Sequence, residues 1–424
     1  MEASHALRAR PRIVLASAVV VALVLAVWPS FAQATHVRCG QVITVSRTLD
    51  SDLVNCPGNG VIIGAHGITL NLNGRLIDGV GLGVGVRNNG FDDVRIVNTS
   101  TAAARVQEFD YGIRLNAGTL RNLVQRITVR VNEVAGIELN NADSNTVRTN
   151  TVQNQAQDGI RLTTGSSANV VFNNTVTTNQ GDGVDMVGAT SNRLESNRVT
   201  GNGDRGVNLQ AVSNSNTLLT NTVNTSGDGA MFVTGSNGNR VERNSVDANG
   251  DAGLILSSAA NNTLLLNTVR NSSDAGIFLQ NSNGNTLTDN DVRFNPTGIT
   301  LGMSHGNRLQ SNDATSSTGI GIELLDSFNN DLVLNIATSN LAQGILVSGI
   351  TTVANGVLLD RNTANANRAD GILVTGSGHR IQGNIARNND GWGIYAAPGN
   401  VDGGGNRASG NAEPAQCFNV RCTA

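Results

Sequence analysis

Four side chains able to do chemistry recur at nearly constant spacing: Glu138, Arg161, Asp185 and Asn208, separated by 23, 24 and 23 residues. Two carboxylates with a guanidinium between them can hold a polar ligand or serve as general acid and base. Residues so far apart in sequence share one surface only if the chain returns to the same place at each interval. If those returns are adjacent strands, Glu138 and Asp185 lie two strands apart, roughly 9–10 Å. That is at or beyond the upper edge for an inverting carboxylate pair. Arg161 is expected to pair with both, and such a charge ladder stabilises by about 0.2–1 kcal/mol per pair without any substrate. The four are therefore candidate ligand-binding residues, and no catalytic residue is assigned. A calcium ion among Asp158, Asp182 and Asp185 is disfavoured by the intervening arginines. No metal or cofactor is expected.

What could return the chain so regularly is visible in the glycines. A Gly followed by an aliphatic residue, or by Ala at Gly229, occurs thirteen times from Gly112 to Gly393, at intervals of 22 to 27 residues. Between these copies runs a second pattern, N-x-[VLI]-x-x-N-x-[VA], as in Asn145 to Val152 and Asn192 to Val199. Apolar residues alternate with polar ones at period two over short runs, which is strand periodicity. Three short strands in each ~23-residue unit, joined by Gly, Asn, Asp and Ser, pair in parallel with their equivalents one unit later. The sequence thus predicts an all-β, right-handed, single-stranded parallel β-helix of about 13 or more coils.

Alternation assigns the faces. One inward column runs Ile113, Ile137, Ile160, Val184, Val207, Ala230, Leu254 and Ile277, and another runs Leu115, Leu139, Leu162, Met186, Leu209, Phe232 and Leu256. The outward row then reads Arg114, Glu138, Arg161, Asp185, Asn208, followed by an apolar group, Met231, Ile255 and Phe278. The asparagine columns are read as turn ladders. The aspartates near each Gly, including Asp158 and Asp182, are likewise read as turn chemistry. Strict alternation would send those two into the core, so the Gly is expected to break the strand.

The ends differ from the middle. Arg8, Arg10 and Arg12 precede an apolar run from Ile13 to Trp28, and Ala32-Gln33-Ala34 offers a cleavage site, so residues 1–34 read as a signal peptide. Residues 35–80 are assigned to an N-terminal cap and first coils, 81–410 to the repeats and 411–424 to a C-terminal cap. Without the leader the charge is near −5 (26 basic and 31 acidic groups), and the chain has no Lys. Nucleic acid is not an expected partner, and no segment after the leader is apolar enough to span a membrane. The cysteines lie at the two extremes, and a rod keeps its ends apart, so Cys39–Cys56 and Cys417–Cys422 are the expected disulfides. Trp392 and Tyr395 are read as covered by the cysteine-pinned tail.

The segments Asp158-Gly159-Ile160-Arg161-Leu162 and Ser191 to Val199 resemble the pectate-lyase-like superfamily of right-handed parallel β-helices. The similarity is greatest to its NosD-type, or parallel β-helix repeat, proteins of bacteria. Members of the superfamily include polysaccharide lyases, hydrolases, epimerases and binding scaffolds. Their catalytic motifs do not carry over. The Asp-Pro-His run of mannuronan epimerases and the Arg-x-Pro-x-x-Arg of pectate lyases are missing. Asn179 to Asp185 resembles only part of the polygalacturonase Asn-Thr-Asp-Gly-x-Asp motif. The resemblance implies a secreted or periplasmic protein that binds an extracellular polysaccharide and, in the stronger form of the reading, modifies it. The alternative is a non-catalytic structural or adhesive surface scaffold. NosD-like copper delivery is a third reading, weakened by a mature chain holding only His36, His66, His305 and His379.

Overall fold

The computed structural model describes residues 36–349 and 356–424. The segment read as a signal peptide lies outside them. The described chain is an all-β, right-handed parallel solenoid of about 16 turns, as expected from the repeat. Its faces are a 17-stranded sheet built from the Gly-aliphatic strands and sheets of 16 and 9 strands built from the asparagine-framed ones. A 3-stranded sheet closes the C-terminal end. Every strand pairing is parallel, and successive coils sit in register, with Ile113, Ile137, Ile160, Val184 and Val207 directly paired. These residues are fully buried. Each removes a whole aliphatic side chain from water, worth about 1.5–3 kcal/mol.

The recurring glycine has a steric cause. A Cβ on Gly159 would lie 2.4 Å from Val176 Cγ1 and 2.6 Å from the Gly183 carbonyl oxygen. Gly136, Gly183, Gly206 and Gly253 face the equivalent valine at 2.1–2.4 Å. This inward-pointing position sits beside an inward aliphatic, so alternation is interrupted here and the preceding residue is returned to the outer surface.

The asparagine columns are ladders, as read from the sequence. Each ladder amide accepts from the previous rung and donates to the next: Asn174 Nδ2 donates to Asn197 Oδ1 at 3.1 Å and to the Val147 carbonyl at 2.9 Å. The left-handed residue is the one before the rung, Ser144, Thr149 or Ser196, with φ near 55°. The asparagines are thus selected for satisfying buried backbone groups rather than for tolerating positive φ.

One coil departs from the predicted register. Asn208 pairs with Phe232, and Val207 with Met231. Met231 and Val233 therefore fill the inward columns assigned to Ala230 and Phe232, and Phe232 takes the outward place assigned to Met231. Ala230 occupies the glycine position, its carbonyl accepting from Val207 N. Phenylalanine is too bulky for a column of Val and Leu, whereas Ala is the smallest replacement for Gly, so the coil slips by one residue.

Both disulfides form, Cys39–Cys56 across 17 residues and Cys417–Cys422 across 5. Cys56 is fully buried as part of the core. The double replacement Cys39→Ala/Cys56→Ala is expected to destabilise the N-terminal coils by roughly 3 kcal/mol in the chain-entropy model. A shift in the denaturation midpoint, with early proteolysis before residue 80, would report it. At the other end Phe418 pairs as the last strand and stacks on Tyr395 with ring centroids 4.9 Å apart, while Trp392 meets both edge-on.

Candidate functional site

The outer face of the 17-stranded sheet carries one continuous row: Arg114, Glu138, Arg161, Asp185 and Asn208, each paired with the next. The four candidates thus stand on consecutive strands, as their spacing requires. Because each glycine returns the residue before it to the surface, a flanking row holds Asp158, Asp182 and Arg205. Asp158 and Asp182 do the turn work read from the sequence, accepting the backbone N–H of Asp182 and Arg205 in the next coil, and the break at the glycine also brings their carboxylates beside the candidate row. The detectable signal was Asp182-Gly183-Val184-Asp185, where a break at the glycine leaves both acids facing outward.

The cluster is tightly bonded. Arg161 Nε lies 3.7 Å from Asp158 Oδ2 and 3.6 Å from Asp185 Oδ2. Glu138 pairs instead with Arg114, so the expected bridge from Arg161 to Glu138 and Asp185 forms on one side only. Asn208 Nδ2 donates to Asp182 Oδ2 at 2.9 Å and to Asp185 Oδ1 at 3.1 Å. Those two oxygens are therefore within about 6 Å of one another. Gln210 Nε2 also donates to Asp185 Oδ1, and the backbone N–H of Arg205 donates to Asp182 Oδ1. Asn208 is only 1% exposed, yet its Oδ1 has no hydrogen-bond partner; Thr163 Oγ1 nearby is also unpartnered.

Burial shifts all three acids in the same direction. Reinforced by the charge of Asp185, it raises Asp182 to about 7 and Asp158 to about 6. Burial also raises Asp185, opposed by hydrogen bonds from Gln210 and Asn208 and by the charges of Arg161 and Arg205, which favour its charged form. Near pH 6.5 Asp182 retains a proton to give, and Asp185 is the acid whose neighbours best support a carboxylate.

These shifts have a consequence for stability. The folded-state pKa values of Asp158 and Asp182 lie above the usual aspartate value, so folding favours the protonated forms. Their contribution is complete below about pH 4 and is lost as pH rises through about 6 and 7. For Asp182 alone the loss is on the order of 4 kcal/mol. Tm is expected to fall between pH 5 and 8, and Asp182→Asn should flatten that fall. A Tm in the wild type that does not change over this range would refute the protonation pattern.

Elsewhere, a cleft of about 390 Å³ is lined by Asn98, Ser100, Gln125, Arg126 and Thr128, with Arg126 its one charged residue. It lacks the acid cluster's chemistry.

The family model described as "Periplasmic copper-binding protein (NosD)" matches residues 57–249 and 212–341. No curated protein matches the chain. Solved structures with a similar fold include the A-module of mannuronan C-5 epimerase AlgE4 from Azotobacter vinelandii. It shares 12% identity over 76% of this chain and 86% of its own, with a TM-score of 0.45. The periplasmic alginate epimerase AlgG shares 12% over 81% and 77%, with a TM-score of 0.40. DFA-IIIase from Arthrobacter chlorophenolicus A6, without its lid, shares 12% over 69% and 84%, with a TM-score of 0.41. At such identities the likeness concerns overall architecture and assigns no residue.

The side chains do not fit the copper of the family description. His379 is 1% exposed, and its Nδ1 accepts from Val357 N as a ladder rung. His36 bonds Asp50 and Ser51, His305 stacks on Phe328, and the cysteines are in disulfides. Among the described residues no three His, Cys, Asp or Glu side chains are grouped to hold a metal ion.

Proposed function

This chain belongs to the NosD family, and from that premise and the chemistry of its outer face we propose an exported β-helix that binds and modifies an extracellular polysaccharide. One observation carries the reading: Asn208 joins Asp182 and Asp185 on the open face of a long sheet, with Arg161 alongside. A surface of stacked strands offers an extended polymer equivalent positions about every 4.8 Å. Carboxylates, amides and guanidinium groups are suited to hydroxyl-rich ligands, as acceptors and donors respectively. Asp182 gives its proton to the departing glycosidic oxygen while Asp185, within about 6 Å, bonds the anomeric carbon; a water deprotonated by Asp182 then releases the sugar from Asp185 and restores both acids.

Export fits the two disulfides, which persist in oxidising compartments. Among the described residues no helix is long and apolar enough to cross a membrane. The deciding experiment exposes the mature chain to a panel of soluble polysaccharides and measures retention and the release of new reducing ends. Turnover lost in Asp185→Asn supports the proposal. Retention without turnover favours the binding scaffold, and neither would remove the polysaccharide from consideration.

A further inference from the structure

Beyond Asn208 the outward row changes character. The next three coils place Phe232, Ile255 and Phe278 in direct register. With Ala252 and Ala275 they form an apolar cluster separate from the core. Ile255 points outward yet is 4% exposed, because a ring stands on either side of it. The flanking row, which holds Asp158, Asp182 and Arg205 further up, is here reduced to Gly229, Ala252 and Ala275. Ile255 covers these small residues, its Cδ1 lying 2.9 Å from where a Cβ on Gly229 would stand, so the half-buried rings are the apolar floor of a shallow shelf.

The rims of this shelf are polar. On one side stand Thr234, Ser257 and Gln280, paired in consecutive coils, and Thr234 Oγ1 is buried without a hydrogen-bond partner. On the other, Asp204, Asp228, Asp251 and Asp274 immediately precede Arg205, Gly229, Ala252 and Ala275. Among the described residues only Asp228 of these four is in an ion pair, with Arg205 at 3.4 Å. The Arg205 guanidinium also lies over the Phe232 ring, 4.3 Å from its centroid, at the junction with the acid cluster. Away from that junction the rim is negative, and the charge of Asp274 adds to the burial that raises Glu323.

We propose that this shelf is a stacking subsite for neutral pyranose rings, continuous with the polar face and selective against anionic sugars. The inference deepens the polysaccharide reading above and rests on it. A pyranose has a C–H face that fits the aromatic floor and a hydroxyl edge that can donate to carboxylates. Arg205 already covers the Phe232 ring, so Phe278, at the end of the row away from that cation, is the ring that meets the sugar. A uronate in the same position would bring its carboxylate against Asp251 and Asp274 with no cation to receive it. Its repulsion is one of like charges at close range.

The test measures binding of four hexasaccharides to the mature protein by calorimetry: β-1,4-glucan, β-1,4-mannan, α-1,4-galacturonan and mannuronan. At least one neutral hexamer is expected to bind about tenfold or more tightly than either uronate. Phe278→Leu, which keeps an apolar cover on Ile255 but removes the ring, should weaken that binding by about tenfold at unchanged Tm. Phe278→Tyr should retain it. Preference for a uronate, or full affinity in Phe278→Leu, would overturn the stacking subsite while leaving polysaccharide binding intact. Wild-type protein that binds none of the hexamers and no polymer of the wider panel would overturn both.

Discussion

Asp185→Asn is expected to lower turnover of a bound polysaccharide by roughly 10³-fold, the scale that general acid–base groups set for a catalytic side chain. The substitution keeps an oxygen able to accept from Asn208 and Gln210, the two donors that bond Asp185 Oδ1. What disappears is the charge facing Arg161 and the carboxylate that bonds the anomeric carbon. The coils should stay folded, with Tm near neutral pH unchanged or slightly higher, since a buried carboxylate has been removed. A second readout excludes a merely structural role. The charge of Asp185 helps to raise Asp158 and Asp182, so both should titrate lower in the variant, visible in carboxyl carbon shifts. The wild-type rate should fall on the alkaline side near pH 7, as Asp182 loses its proton. Full turnover by Asp185→Asn would take the acid cluster out of the mechanism.

Gly159→Val should damage the scaffold severely. The new Cβ would stand 2.4 Å from Val176 Cγ1, 2.6 Å from the Gly183 oxygen and 2.8 Å from Asn179 Nδ2. Two of those atoms belong to the next coil's backbone and to a ladder, so neither can withdraw without breaking other bonds. We expect a loss of about 4 kcal/mol or more, at the upper end for overpacked positions. Each coil of a solenoid contacts mainly its neighbours, so the damage should be local and detectable as proteolysis within residues 135–190. Gly165→Ala is the control: φ is +78° there but nothing lies within 4 Å of the added atom. Backbone strain alone should cost about 1–2 kcal/mol. Equal midpoints for the two variants would mean that close packing does not explain the repeated glycine.

The contrast between these residues shows how far one-dimensional reading reaches. Ile137, Ile160 and Val184 were legible as an inward column because a repeat of constant length forces like residues into like places. Glu138, Arg161, Asp185 and Asn208 were legible as one row for the same reason. Asp158 and Asp182 were placed at a strand break and read as turn residues; their contacts with Arg161 and Asn208 depend on side-chain reach, which spacing does not give. Phe232 was missed where a coil counted from Gly229 instead of Ala230, a one-residue slip that exchanges inside and outside. The apolar group on the surface survived the slip, with Phe232 in place of Met231.

Periodicity by itself determined the solenoid, its parallel register, the pinned ends and the surface that carries the candidate groups, since these follow from repetition and from where apolar residues must go. Tertiary structure alone decided which acid meets which base. It paired Glu138 with Arg114, brought Asp182 within reach of Asp185 through Asn208, and buried both enough to raise them above the usual carboxylate range. Those outcomes depend on side-chain distance and on exclusion of water. Neither quantity is written in the spacing of residues along a chain.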